Sequence, residues 1–494
     1  MTFIDCVNRF LRRILQHGGG TESLNDFSNK TIEKESPFKP NWLKWPTMRK
    51  KHPFRVYVVE PHEYSPRIHE GLFYATFNYL LGLNPSCDFI DDITPTPRLP
   101  VQPPERFDLV IFPEAFLPSD VFLKFIEDIN KLPSSVSLIG CIHVGIRPPA
   151  TEDTEDTILF VTRELVEFLN RLRSLDNVVS EDLDTFSQWL EEQPEDDNFN
   201  IGCLFLIEPD LRVRICLHPK LVRSRYEKSL VSDIHMAEAN LLSLVTLHPQ
   251  DHRFPSITIQ PLICSDVFLK DTDRPDGNGL EAMASYAHCF HPIPPEHIDV
   301  VSLCTLTPTR KRESPDGMTE DCFEWRQAFR ESFVSAAKGG RLFRHRNAVF
   351  ILSNYLWFPP MEGCRDRRPA GLSGVFVPFP PFIKDKFPQF AALDVYARSN
   401  DNSREEMSWM NYTEYLTIGK CDQVLGCLVS LDRNKTWPHA RATIISWDID
   451  KLPQWASHFN RDQVIVNLKL FHVIPDSSLE GPSFRVIQEA SHEH

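Results

Sequence analysis

The strongest constraint on this chain is a succession of short apolar runs, each about the length of a strand, separated by longer helical or polar stretches. From Phe54 onward, strands are predicted over 55–59, 108–112, 136–144, 201–207, 211–217, 257–264, 298–304, 348–354, 372–377 and 442–447. Helices are predicted over 119–131, 162–172, the acidic 181–193 and 324–342. Strands alternating with helices argue for an α/β layered fold. Glu208-Pro209-Asp210, between two β-rich runs, reads as a tight hairpin turn. A sheet that contains both a hairpin and helical crossovers is mixed.

The first 53 residues read differently. Phe3, Ile4, Val7, Phe10, Leu11, Ile14 and Leu15 recur at helical spacing, and Gly18-Gly19-Gly20 ends that helix. Such a helix packs on the body or a partner protomer, or lies on a membrane surface. Residues 17–50 are polar and read as a linker. Thr151–Asn198, Lys270–Glu296 and Pro378–Asn434 look inserted into the 54–450 body, and 451–494 reads as a C-terminal extension that packs on the body or on a partner.

Composition excludes several functions. With 40 prolines against 19 glycines, the chain has rigid loops and few glycine turns that could cradle a phosphate. A net charge of −15 argues against nucleic-acid binding, which leaves a basic footprint. No apolar run is long enough to span a bilayer. The twelve cysteines are scattered with no Cys-x-x-Cys pair, so neither a disulfide framework nor a zinc module is expected. Arginines at 9, 12 and 13 break up what would be a signal peptide, and the expected location is cytoplasmic. Asp233, His235 and Glu238 are spaced like occasional metal ligands but read as a solvated helix face. His288, Cys289, His291 and His297 match no standard zinc module and read as a polar loop. Phe89-Ile-Asp-Asp92 looks like a polymerase metal box but sits too early for a palm domain in an acidic chain, so no metal or cofactor is expected.

Three predicted strands stop at a residue with chemical potential. Pro113 ends one and presents Glu114; Pro219 ends another and presents Lys220; a third ends at Cys264, with Asp266 in the following turn. Strand ends are where α/β proteins build sites. If the three strands lie side by side, the trio has a coherent chemistry. A carboxylate can take a thiol proton. An ammonium stabilises the thiolate, and with the Ser265 backbone N–H it can also hold a developing oxyanion.

These motifs resemble the carbon–nitrogen hydrolase (nitrilase) superfamily. Phe112-Pro113-Glu114 is similar to its Phe-Pro-Glu, Pro219-Lys220 to its lysine motif, and Ile263-Cys264-Ser265-Asp266 to its Ile-Cys-x-Asp. The strand that Asn200-Ile201 begins, the helix from Trp325 into the Asn347–Asn354 strand, and Gly371–Pro378 follow in the family's order. The resemblance implies an αββα sandwich with mixed sheets, here with an appended N-terminal helix, assembling as a homodimer or larger homo-oligomer. It implies Glu114 as general base, Lys220 as oxyanion and orienting group, and Cys264 as the nucleophile forming a thioester with a small amide or, secondarily, a nitrile. Glu227 is the candidate for the family's second glutamate.

The chain departs from the family where Ser265 replaces an aromatic, and where Val267–Lys270 lacks the usual Pro and Glu. These changes and the appended segments motivate the alternative, a catalytically altered nitrilase-like module used for interaction or regulation, as in bacterial defence systems.

Overall fold

The computed structural model describes residues 38–47, 54–81, 107–132, 140–149, 158–221, 236–251, 255–267, 297–306, 310–313, 319–322, 345, 348–358, 368–369, 373–379, 413–418, 422–429, 439–449, 465–475 and 484–488. Two large mixed sheets dominate. Strands of both are numbered together along the chain: β1 Lys39–Thr47, β2 Phe54–Pro61, β3 Leu109–Ile111, β4 Leu117–Pro118, β5 Cys141–Arg147, β6 Ile201–Ile207, β7 Val213–Pro219, β8 Leu241–Pro249 and β9 Ile257–Ile263. They continue as β10 Val300–Cys304, β11 Val349–Ser353, β12 Gly374–Phe379, β13 Thr413–Ile418, β14 Asp422–Val429, β15 Ala442–Ile449, β16 Ile465–Pro475 and β17 Phe484–Gln488.

The nine-stranded sheet runs β17-β16-β15-β2-β3-β5-β6-β7, with β4 paired to β5. The eight-stranded sheet runs β1-β8-β9-β10-β11-β12-β14-β13. Each combines parallel pairs (β2 with β3, β9 with β10) and antiparallel pairs (β6 with β7, β8 with β9).

Period-two alternation places the two faces of each strand in different cores. Leu109, Ile111, Cys141, Leu204 and Cys216 of one sheet share a buried core with Ile257, Ile259, Val300, Val349 and Ile351 of the other. The sheets therefore pack face to face. Polar contacts cross the same interface: Ser353 donates its hydroxyl to the Val59 carbonyl at 2.5 Å. The opposite face of the nine-stranded sheet (Val110, Ile142, Val144, Cys203, Phe205 and Ile215) is covered by helices. These are α1 Pro66–Leu80, α2 Ser119–Asp128, α3 Thr162–Arg173 and α4 Asp184–Glu191. Helix α2 is amphipathic, and its Phe122, Phe125 and Ile126 turn inward at helical spacing. The outer face of the eight-stranded sheet, including Leu262, Leu303 and Phe350, is buried as well. The helix expected at 324–342 lies outside the described residues.

This is the layered, mixed α/β architecture expected of the chain, two mixed sheets packed face to face with helices over the nine-stranded one. Several local readings need correction. Residues 17–50 are not linker throughout, because Lys39–Thr47 is an edge strand paired in parallel with β8. Its Trp45 is fully buried between the sheets. Pro40 and Pro46 are tolerated there because a proline costs least at an edge. The strand expected to run through Cys264 stops at Ile263, and Cys264 opens a 3-10 turn instead. The acidic helix begins as a 3-10 turn over Ser180–Leu183 before α4. Leu211 belongs to the hairpin turn, with φ of +65°, and β7 starts at Val213. Within 451–494, β16 and β17 extend the nine-stranded sheet. The 1–20 helix lies outside the described residues. Among those residues, no helix is long and apolar enough to cross a membrane.

Candidate active site

Glu114 sits in a turn pressed onto β5. Pro113 has no N–H to continue β3, and the chain instead bonds across to β5: Phe112 N–H donates to the His143 carbonyl (2.8 Å), Gly145 N–H to Pro113 (3.0 Å) and Phe116 N–H to Gly145 (2.9 Å). Ala115 takes a positive φ of +51°, a conformation that only a well-fixed turn imposes on alanine. The close approach depends on glycine. A Cβ on Gly145 would lie 2.3 Å from the Ala115 nitrogen and 2.5 Å from the Glu114 Cα. The opposite sheet also holds this turn: Glu114 N–H donates to the Thr305 carbonyl at 3.3 Å, and the Tyr355 hydroxyl donates to the Glu114 carbonyl at 3.2 Å. The glutamate backbone is thus fixed from both layers.

Lys220 follows β7. Its N–H donates to the Asn200 carbonyl at 2.8 Å, which extends the β6–β7 ladder one step past the Ile201–Pro219 pair. Its Nζ donates to Glu114 Oε1 at 3.0 Å, and Asn200 Nδ2 donates to the same oxygen at 2.6 Å. Side-chain exposure is 1% for Lys220 and 2% for Glu114. An ion pair buried this deeply is retained against a desolvation cost of several kcal/mol per charge, which makes it weak evidence of a purely stabilising role. Arg147, also buried, is one step past the Ile146–Ile201 pair on β5 and so continues the row formed by Asn200 and Lys220.

Cys264 lies in the turn after β9 with φ of +44°, a left-handed conformation rare for a residue bearing a Cβ. Asp266 stabilises that turn. Its Oδ2 accepts the Ile263 N–H at 3.0 Å, and its Oδ1 accepts the Leu221 N–H at 2.8 Å. The second bond ties the cysteine turn to the residue next to Lys220. Glu114 and Lys220 are therefore in direct contact, and the Cys264 turn is fastened beside them at the end of the inter-sheet core. Ser265 is buried in the same turn. Glu227 lies outside the described residues.

Several neighbouring groups are buried and held neutral. Burial pushes the Cys304 thiol well up, and the nearby Glu114 charge adds to the shift. Burial likewise raises the Tyr355 hydroxyl. His69 stacks against Phe116 with ring centroids 4.6 Å apart. Its Nε2 accepts the Ser65 N–H, so its Nδ1–H is the donor to the Phe116 carbonyl at 3.0 Å. Burial, with Arg147 adding to it, lowers this imidazole to about 3 and keeps it neutral.

Beneath the site, His218 reaches across Gly202 to His143, with the two Nε2 atoms 3.0 Å apart, and His143 Nδ1 meets Ser302 Oγ at 2.7 Å. The His218 ring occupies the space that a Gly202 Cβ would need, 2.3 Å from Cε1. Gly145 and Gly202 are cross-strand partners. One clears room for the glutamate turn and the other for the histidine bridge. Sequence reasoning identified neither Asn200 as a Glu114 partner nor the histidine pair; the local signal was a glycine inside each of two adjacent strands. Among the described residues, no group of three His, Cys, Asp or Glu side chains is gathered as metal ligands would be.

No family model and no curated protein matches the chain. Among solved structures, it is similar to a carbon–nitrogen hydrolase from Helicobacter pylori G27, with 9% identity over 66% of this chain and 82% of that chain and a TM-score of 0.33.

Proposed function

We propose that the chain hydrolyses the carbon–nitrogen bond of a small amide through a thioester on Cys264, with nitriles as the secondary substrate class. The observation that carries this reading is the buried Glu114–Lys220 pair at 3.0 Å, with the Cys264 turn fastened to Leu221 beside it. Glu114 takes the Cys264 proton as the sulfur attacks the carbonyl carbon. The oxyanion that forms is held by the Ser265 N–H and the Lys220 ammonium. The C–N bond then breaks, and the proton held on Glu114 leaves with the amine. Water attacks the thioester and gives a proton to Glu114; the C–S bond breaks, the carboxylic acid departs, and the proton returns to sulfur. Lys220 stays protonated throughout, and its contact with Oε1 keeps Glu114 ionised between steps.

The test is a panel of primary amides incubated with purified protein, with ammonia release as the readout. Cys264→Ala is expected to remove turnover while leaving the circular dichroism spectrum unchanged. Equal ammonia release from the variant and the parent protein would refute the assignment.

A further inference from the structure

We infer that Asn200 is a positioning residue for proton transfer, an inference that rests on the reading of Glu114 as the general base. Asn200 is fully buried and occurs once in the geometry yet acts on both members of the ion pair. Its backbone carbonyl accepts the Lys220 N–H, and its side-chain amide donates to Glu114 Oε1 at 2.6 Å. Lys220 Nζ donates to that same oxygen at 3.0 Å. A carboxylate oxygen offers two lone pairs in its plane. With both directed at donors, Oε1 is committed to holding the carboxylate, and the travelling proton is carried on Oε2.

The choice of an amide is informative. Hydrogen bonds to a carboxylate favour its ionised form, and a neutral donor does so without adding a second positive charge beside the thiol. It also fixes the carboxylate plane: one donor would leave the group able to pivot, whereas two donors on one oxygen, from neighbouring strands, hold it. Cys304 from β10 and Tyr355 beyond β11 also lie against Glu114; Arg147, at the end of β5, is the cross-strand neighbour of Asn200, and Cys264 and Asp266 lie in the turn after β9. Of these, Cys304 and Tyr355 are kept protonated by burial, and Asp266 is committed to the backbone N–H groups of Ile263 and Leu221. Lys220 and Asn200 donate directly to Glu114 Oε1, and Arg147 is common to every variant, so a change in the acid limb between parent and variants reads the Asn200 contact.

The experiment measures the rate of Cys264 alkylation by iodoacetamide from pH 4 to 9, by peptide mapping of the full chain. Parent protein, Asn200→Ala and Asn200→Asp are compared, with thermal melts of each. In the parent, the rate is expected to fall on the acid side as Glu114 takes up a proton. Asn200→Ala should move that midpoint up by about one pH unit. Asn200→Asp, which is isosteric and tests the idea even if the alanine variant does not fold, should move it further, because a second carboxylate then faces Oε1. Parent-like midpoints in both variants, with only the melting temperature lowered, would reduce Asn200 to a packing role and overturn the inference. A parent protein with no acid limb would instead overturn the general-base reading, and this inference with it.

Discussion

Leu221 donates its backbone N–H to Asp266 Oδ1 at 2.8 Å, and this bond joins the end of the lysine strand to the turn that carries Cys264. The other Asp266 oxygen accepts the Ile263 N–H at 3.0 Å, so one carboxylate closes the turn and docks it. Asp266→Asn keeps the shape but replaces one acceptor with an NH₂ that must face a backbone N–H. A buried donor left unmatched costs about 1–3 kcal/mol. The variant should lose stability in that range in urea titrations, and Cys264 alkylation should slow. Unchanged values of both would show that the turn is held by other means.

The two glycines beneath the site give separable outcomes. Gly202→Ala forces the His218 ring aside, and overpacking of this kind costs about 1–3 kcal/mol. Gly145→Ala pushes on backbone rather than on a ring, at the Ala115 nitrogen and the Glu114 Cα. It should therefore displace the glutamate as well. Both variants should melt earlier than the parent, but Gly145→Ala should show the larger fall in Cys264 reactivity per degree of lost melting temperature.

Acid sensitivity follows from the buried imidazoles. Burial lowers His62, His69, His218 and His345 to about 3, and takes His143 well below its ordinary 6.5. Near neutral pH these rings are uncharged whether the chain is folded or unfolded, and they add no pH dependence. Below about 6.5 the unfolded chain binds protons that the folded chain refuses, so stability falls as pH falls. The slope is about 1.4 kcal/mol per pH unit for each ring, hence roughly 2 kcal/mol per ring at pH 5 as an upper bound. Melting temperature should drop steeply between pH 6.5 and 5. Double replacement of His143 and His218 by Gln should flatten that slope, and an unchanged slope would show that the pair is not buried neutral.

Strand β1 gives a further check. Trp45 projects from this edge strand into the inter-sheet core. Trp45→Ala should cost about 3–5 kcal/mol, measured by urea unfolding. A cost under about 1 kcal/mol would place the tryptophan outside the core.

The sequence exposes best what is locally periodic. Ile201–Ile207 reads as a strand because its seven residues carry no polar or charged side chain beyond one cysteine, and α2 because its apolar residues follow a helical period. The strand ends carrying Glu114 and Lys220 are legible because proline marks them. Lys39–Thr47 escapes detection because its two prolines and two lysines read as linker, and because an edge strand buries only part of one face. Helix α1 is obscured by its Phe, Tyr, Thr and Asn content, which carries little helix propensity. Leu241–Pro249 has the apolar run of a strand, but nothing adjacent marks it as one. Asn200 is invisible for another reason: its partner is 86 residues away, and only the docking of the β3 turn onto β5 brings the two together.

The most direct test of the site is the selectivity of thiol alkylation at near-neutral pH. With limiting iodoacetamide, Cys264 should be modified faster than the other cysteines of the twelve, and Glu114→Gln should remove most of that advantage while the protein still melts cooperatively. Cys264 modified no faster than its fellow thiols in the parent, or just as fast after Glu114→Gln, would contradict a shared carboxylate–ammonium–thiol centre.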